Sequence, residues 1–186
     1  MNTIITSRQA ILDACRTLAL EQGLHAINVR AVAAACGIAV GSVYNYFPSK
    51  ADLIAATIQD VWQHIFQFSK IAPRASFAEL IGEIYREALL GTQQYPGFFS
   101  AHSVSFASAE KSKGRQVMED YFAQMRAGLL QALNNDPAVA DGVFDESFSR
   151  EAFVDFVFSH FVSLLMKQAG SCETLLEVIR RILYTV

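Results

Sequence analysis

Apolar residues recur three and four apart along almost the whole chain, and no stretch shows the clean two-residue alternation of a half-buried strand. With only four prolines in 186 residues, little interrupts that period. The interruptions that do occur are helix punctuation. Gly23, Gly37 and Gly170 stand where apolar faces end, and Asn28, Ser49 and Ser76 stand where new ones begin. The fold class this dictates is all-α. Apolar residues make up 52% of the chain, enough for a sizeable core.

The same features exclude several classes. No window holds about 18 uninterrupted apolar residues, so a membrane span is not expected. The start, MNTIITSRQA, lacks the basic and then apolar pattern of a signal peptide. Cys15, Cys36 and Cys172 are odd in number and widely spaced, which points to reduced thiols in a cytoplasm. No cofactor or metal is expected.

Charge is unevenly placed. The formal net charge is −3, yet residues 1–50 carry Arg8, Arg16, Arg30 and Lys50 against Asp13 and Glu21 alone, and the remainder carries 11 basic and 16 acidic residues. A basic segment joined to an acidic body is one mark of a nucleic-acid-facing module.

That segment contains three short helical patterns. The first opens with Thr6-Ser7-Arg8-Gln9, a capping-box spacing, and places Ile11, Cys15 and Leu18 on one face before Gly23. The second runs from Val29 to Cys36, capped by Asn28 and ended by Gly37. The third covers roughly 40–46, and Pro48 stops it. Val43 and Phe47 lie four apart and can anchor this third helix on Ile11, Cys15 and Ala33. Its other face then presents Gly41, Ser42, Asn45 and the phenol of Tyr44 or Tyr46, with no long charged side chain. A glycine lets backbone approach a duplex closely, tyrosine hydroxyls bind phosphate, and asparagine can pair with adenine. Lys50 stands in the first turn of a fourth helix, where the helix dipole also favours phosphate. Two short helices joined by a glycine turn form a helix-turn-helix pattern.

The segment NVRAVAAACGIAVGSVYNYFPSKADLIAA closely resembles the N-terminal signature of the TetR (tetracycline-repressor-like) family of transcriptional regulators. The matching residues are Asn28, Val29-Arg30, Val32-Ala33, Cys36-Gly37-Ile38, Gly41, Val43-Tyr44, Phe47, Pro48-Ser49-Lys50 and Leu53, and the preceding helix fits with Ala14, Leu18, Gly23 and Leu24. Two positions depart: Ala39 stands where the family usually has a Ser or Thr cap, and Val40 where it often has a basic or polar residue. They leave the operator sequence open, and Val40 could touch a thymine methyl.

The resemblance implies a DNA-binding head over residues 1–48 and an effector-binding, dimerising body over 49–186. DNA contact would then fall to Asn28, Arg30, Ala39, Val40, Gly41, Ser42, Tyr44, Asn45, Tyr46 and Lys50. The implied function is a ligand-responsive repressor, released from a palindromic operator by a small apolar or aromatic effector.

The body is read from its own residues as well. A long fourth helix carries Ile54, Ile58, Val61, Ile65 and Phe68, and a fifth, capped by Ser76 and Glu79, carries Phe77, Leu80, Ile81, Ile84 and Ala88. Further helical patterns cover about 97–108, 113–134, 146–169 and 172–185. The segment FVDFVFSHFVSLLMK is apolar around most of its circumference and so must be covered on more than one side. The last helix adds Leu175, Leu176, Ile179, Ile182 and Leu183, and by resemblance these two helices form the homodimer interface, which a charge at Phe161 or Ile179 would be expected to break. For the effector the candidates are Phe98, Phe99, His102, Phe106, Tyr121, Phe122, Met125, Phe156 and His160, rings and imidazoles among apolar neighbours.

The alternative is a helical small-molecule-binding protein or an enzyme without DNA binding. No His-Glu-x-x-His, Glu-x-x-His, Walker or Gly-x-Ser-x-Gly motif supports an enzyme. Glu79, Glu83 and Glu87, one turn apart, read as a solvated face.

Overall fold

The computed structural model describes residues 6–65, 76–95 and 112–184. Among them are eight α-helices, one short 3-10 turn and no strand. The chain divides into two compact units, one of Met1–His64 with Thr92–Tyr121, the other of Ile65–Gly91 with Phe122–Val186.

In the first unit, α1 spans Arg8–Gln22. Its cap is Ser7, whose hydroxyl accepts from the Ala10 N–H at 3.1 Å. The expected Thr6–Gln9 box does not form, because the Gln9 amide donates to Asp13 one turn on at 3.0 Å. Gly23 ends the helix, and a 3-10 turn at Leu24–Ala26 leads to α2, Val29–Cys36. Asn28 caps α2: its Oδ1 accepts from the Ala31 N–H at 2.9 Å. Gly37 closes it in the left-handed region at φ 65°, ψ 31°. There its N–H donates to Ala34 O and the Ile38 N–H to Ala33 O, which occupies carbonyls a helix end leaves free. A side chain would be strained at that φ, so the turn depends on glycine.

Next comes α3, Val40–Tyr44, and then α4, Lys50–Ile65. Ser49 starts α4 as expected, accepting from the Asp52 N–H at 3.1 Å and donating to the Asp52 carboxylate at 2.9 Å. The continuation expected to Phe68 lies outside the described residues. Ile11, Cys15, Val32, Val43, Phe47, Leu53, Val61 and Trp62 are buried and form this unit's core.

The second unit contains α5 (Phe77–Gln93, which passes into the first unit at Thr92), the greater part of α6 (Ser112–Asn134), α7 (Arg150–Met166) and α8 (Glu173–Leu183). Ser76 caps α5 through the Glu79 N–H at 3.3 Å. Two distant residues finish that helix end. Asp136 Oδ2 accepts from the Phe77 N–H at 2.7 Å and from the Tyr184 hydroxyl at 2.6 Å, while the Tyr184 oxygen accepts from the Ala78 N–H.

The seventh helix is shorter than its apolar pattern. Asp145 Oδ1 accepts from the N–H groups of Ser147 and Phe148 and from the Ser147 hydroxyl, which holds a turn where helix was expected from 146. Ser149 then caps at Ala152 N–H. At the other end Gln168, not Gly170, takes the left-handed position with φ 51°, and α7 stops at Met166 instead of 169. The helix expected over 97–108 lies outside the described residues.

Burial shows which residues of the last two helices the single chain already covers. Phe161 is 3% exposed and Ile179 is fully buried within a single chain, as are Leu175 and Leu183 or nearly so. They belong to the chain's own core, with Phe153, Val157 and Leu165. The large apolar side chains that α7 leaves to solvent are Phe156 and Met166, at 51% and 47% exposed.

Candidate nucleic-acid interface

The third helix is held by few points. Of its five residues only Val43 is buried, and Phe47, just past its end, is the second anchor. The hydroxyl of Tyr46 adds a third by donating to the Thr6 carbonyl at 2.7 Å. The rest of the segment faces outward: Ala39, Val40, Gly41, Tyr44 and Asn45 are exposed, and Ser42 is half-buried. Val40 and Tyr44 are unusually exposed for their types, at 39% and 44%.

Gly41 is informative because nothing among the described residues requires it. A Cβ built there meets no atom within 4 Å, and its φ is not positive. Glycine inside a helix costs roughly 0.5–1 kcal/mol relative to alanine. Nor does Ala39 offer α3 a side-chain cap, which leaves its first turn open. An exposed helix start with a bare backbone and free N–H groups can meet a phosphodiester chain closely.

The cations of residues 1–50 sort by their partners. Arg16 is bound internally, to Asp13 at 2.8 Å and Asp60 at 2.7 Å. Arg30 and Lys50 are exposed and pair with no described residue. Sequence reasoning missed Arg8. Its guanidinium stands 5.1 Å from the centre of the Phe47 ring, a cation–π contact that fixes an exposed charge beside the end of α3. Position eight beside position 47 is a long-range juxtaposition that no spacing rule exposes. Of the expected contact residues, Asn28 has its side chain committed to capping, with Nδ2 also donating to Ala26 O at 3.1 Å. The Tyr46 proton is likewise committed, whereas the Tyr44 hydroxyl has no hydrogen bond to a described residue.

The description "Bacterial regulatory proteins, tetR family" belongs to the family model that matches residues 11–57, which takes in most of α1, all of α2 and α3 and the first half of α4. The HTH-type transcriptional repressor KstR of Mycolicibacterium smegmatis is 40% identical over 172 residues, covering 89% of this chain and 80% of that protein. The chain belongs to the tetR family.

The KstR repressor of Rhodococcus jostii is 32% identical over 110 residues, 59% of this chain, and the chain spans only 52% of that relative's length. Among solved structures, the multidrug binding protein EbrR complexed with imidazole superposes with a TM-score of 0.65 at 20% identity, covering 96% of this chain and 90% of that one. That likeness is one of fold.

Of the candidate effector residues of this tetR-family chain, Tyr121, Phe122, Met125, Phe156 and His160 are among the described residues. Phe98, Phe99, His102 and Phe106 lie outside the described residues. Tyr121, in the first unit, is buried, and burial pushes its phenol up to about 12. In the second unit Met125 is buried and Phe122 packs edge-on against Phe158 at 5.3 Å. Arg126 covers the same Phe158 ring at 4.9 Å and pairs with Asp155 at 3.1 Å. Phe156 and His160 stack on each other, 6.4 Å apart and 13° from parallel, on the exposed side of α7. A depression of about 390 Å³ on α8, lined by Glu173, Thr174, Glu177, Val178 and Arg181, includes none of the candidates.

No described helix is long and apolar enough to cross a membrane. All three cysteines are free thiols, and burial raises the Cys15 thiol to about 11, which keeps it protonated.

Proposed function

We propose that this chain is a cytoplasmic transcriptional repressor, not an enzyme, that binds a palindromic operator as a homodimer and leaves it when a small apolar or aromatic molecule binds. Residues 1–48 form the DNA-binding part and 49–186 the effector-binding and dimerising part. The observation that carries this reading is the outward face of α3, where Ala39, Val40, Gly41, Ser42, Tyr44 and Asn45 gather with a glycine the fold does not need. Arg30 and Lys50, with Arg8 added, supply the phosphate contacts, while Val40 and Asn45 read base edges. Relatives named as repressors support the sign of the response, and a fold-mate named for multidrug binding supports an apolar effector.

Dimerisation follows from the operator. Recognition helices of two chains must meet successive major grooves about 34 Å apart on one duplex face. The exposed Phe156, His160 and Met166 of α7 and the half-exposed Val178 of α8 are the side chains offered to the second copy.

The test begins with selection of duplexes from a random pool by the whole chain. Enrichment of an inverted repeat supports the reading, and no enrichment over a random duplex ends it. Calorimetry then measures binding of apolar and aromatic compounds with and without the selected duplex. Linkage requires that a ligand which lowers operator affinity be weakened by operator through the same factor. Equal ligand affinity in both conditions would rule out release by that ligand, however tightly it bound.

A further inference from the structure

Asp60 is a charged residue in the middle of α4, and it is only 6% exposed. Its Oδ2 accepts from Nη1 of Arg16 at 2.7 Å, across a separation of 44 residues. Arg16 lies on α1, and its second nitrogen, Nη2, donates to Asp13 at 2.8 Å. The guanidinium is therefore forked between a carboxylate of its own helix and one of α4. His64, a turn beyond Asp60, closes the cluster: its Nδ1 is 3.5 Å from Arg16 Nη1 and 3.1 Å from the Asp60 carbonyl oxygen. The buried Tyr95 phenol lies within range of the fields of both Arg16 and Asp60.

Such a pair is a poor device for stability. Desolvating two charges offsets most of their attraction, and apolar residues of similar volume often serve a fold as well or better. What the forked guanidinium supplies is direction, since its planar donors fix the angle and register at which two helices meet. The helix so fixed is α1. Its Ile11 and Cys15 are buried in the same core as the α3 anchors Val43 and Phe47.

We infer that Asp60, acting through Arg16, is a positioning residue for operator recognition, which sets the angle of the DNA-facing helices on α4. The inference rests on the proposed DNA binding and names two residues outside its contact set. A homodimer on an inverted repeat needs both recognition helices at one spacing, so an angular error enters twice. Random duplex, which each chain can meet separately through phosphate contacts, is insensitive to that angle.

The experiment compares the wild type with Arg16→Met/Asp60→Leu, which removes both charges and keeps the volume apolar. The probes are the duplex selected by the wild type and a random duplex of equal length. The double variant is expected to melt within a few degrees of the wild type and to lose about ten-fold or more in affinity for the selected duplex, with random-duplex affinity held within about two-fold. Its salt slope should not change, because no phosphate contact is removed. Asp60→Asn, which keeps Arg16 tied to Asp13, should show the same ratio in smaller degree, and it decides the matter if the double variant does not fold. A folded variant that binds the selected duplex within about two-fold of the wild type would overturn the inference, as would a parallel loss on both duplexes. If the wild type itself selects no sequence, the proposed DNA binding falls instead, and this inference with it.

Discussion

Helices α3 and α7 solve opposite problems. The third helix has five residues with one buried side chain, and its fold is maintained from outside by Phe47, by the Tyr46–Thr6 hydrogen bond and by the left-handed turn at Gly37. The seventh has 17 residues with six buried, and it is the spine of the second unit's core. Freed from packing, α3 can spend its surface on a partner, and its composition of small and polar residues is what close approach demands. Six side chains of α7 are buried by its own chain, while Phe156, His160 and Met166 are among those it leaves exposed to another molecule. A helix apolar all round therefore does not reveal which of its apolar residues meet a partner.

The largest expected effect tests that division. Ile179→Asp or Phe161→Asp places an unpaired charge in the core of a single chain, at a cost of several kcal/mol, and should abolish the cooperative melt. Phe156→Asp and Met166→Asp replace exposed side chains, so the helical circular-dichroism signal and a cooperative melt should survive while the sedimenting mass falls to that of one chain. The contrast breaks if Ile179→Asp melts like the wild type. It breaks equally if neither surface variant alters the mass.

The next effect belongs to the head. Lys50→Ala and Arg8→Ala should each weaken binding to every duplex and lower the slope of log affinity against log salt by about 1. The two tyrosines should separate. Tyr44→Phe removes a hydroxyl with no described partner and should act on DNA affinity, whereas Tyr46→Phe loses the bond to Thr6 and should cost roughly 1 kcal/mol of stability first. Reversal of that pattern would exchange their roles.

Why some of this was legible and some not follows from the range of each signal. Asn28, Gly37 and Ser49 act on residues four or fewer positions away, so α2, the turn and the start of α4 can be read directly from the sequence. The ends of α7 are local too, but they turn on competition: the Asp145 side chain outbids a helical start, and Gln168 takes a position expected of glycine. Arg8 over Phe47, Arg16 with Asp60 and Asp136 beneath α5 join residues 39, 44 and 59 apart, and no periodicity encodes them. The inward and outward sides of α7 were unreadable for a different reason. Its apolar residues leave only a narrow polar stripe, so the pattern carries almost no direction.

Alkaline pH offers a third test, confined to the second unit. Burial first, and then the bond to Asp136, raises the Tyr184 phenol from its ordinary 10 to about 12. The folded chain thus keeps a proton that the unfolded chain gives up. The stability this supplies is complete below pH 10 and is lost as pH climbs from 10 towards about 12. In urea unfolding, the advantage of the wild type over Tyr184→Phe should shrink across that window. An advantage independent of pH there would mean that the phenol is not held protonated by the fold.

The smallest effects sharpen the comparison most, because they set folding and recognition in opposition on one helix. Ala39 has the extended backbone of a capping residue, φ −69° and ψ 147°, but no side-chain acceptor. Ala39→Ser should therefore satisfy a free N–H of α3 and stabilise the first unit by about 1 kcal/mol. Gly41→Ala should also stabilise, by roughly 0.5–1 kcal/mol, since the new methyl meets no described residue. On DNA the two should part. The serine adds a donor at the helix start and should hold or raise affinity, while the Gly41→Ala methyl projects into the space a duplex would occupy and should lower it. Thermal melts and binding to the selected duplex, measured on both variants, decide the point. If Gly41→Ala raised the melting temperature and left operator affinity unchanged, the backbone of α3 would not be the surface that approaches DNA.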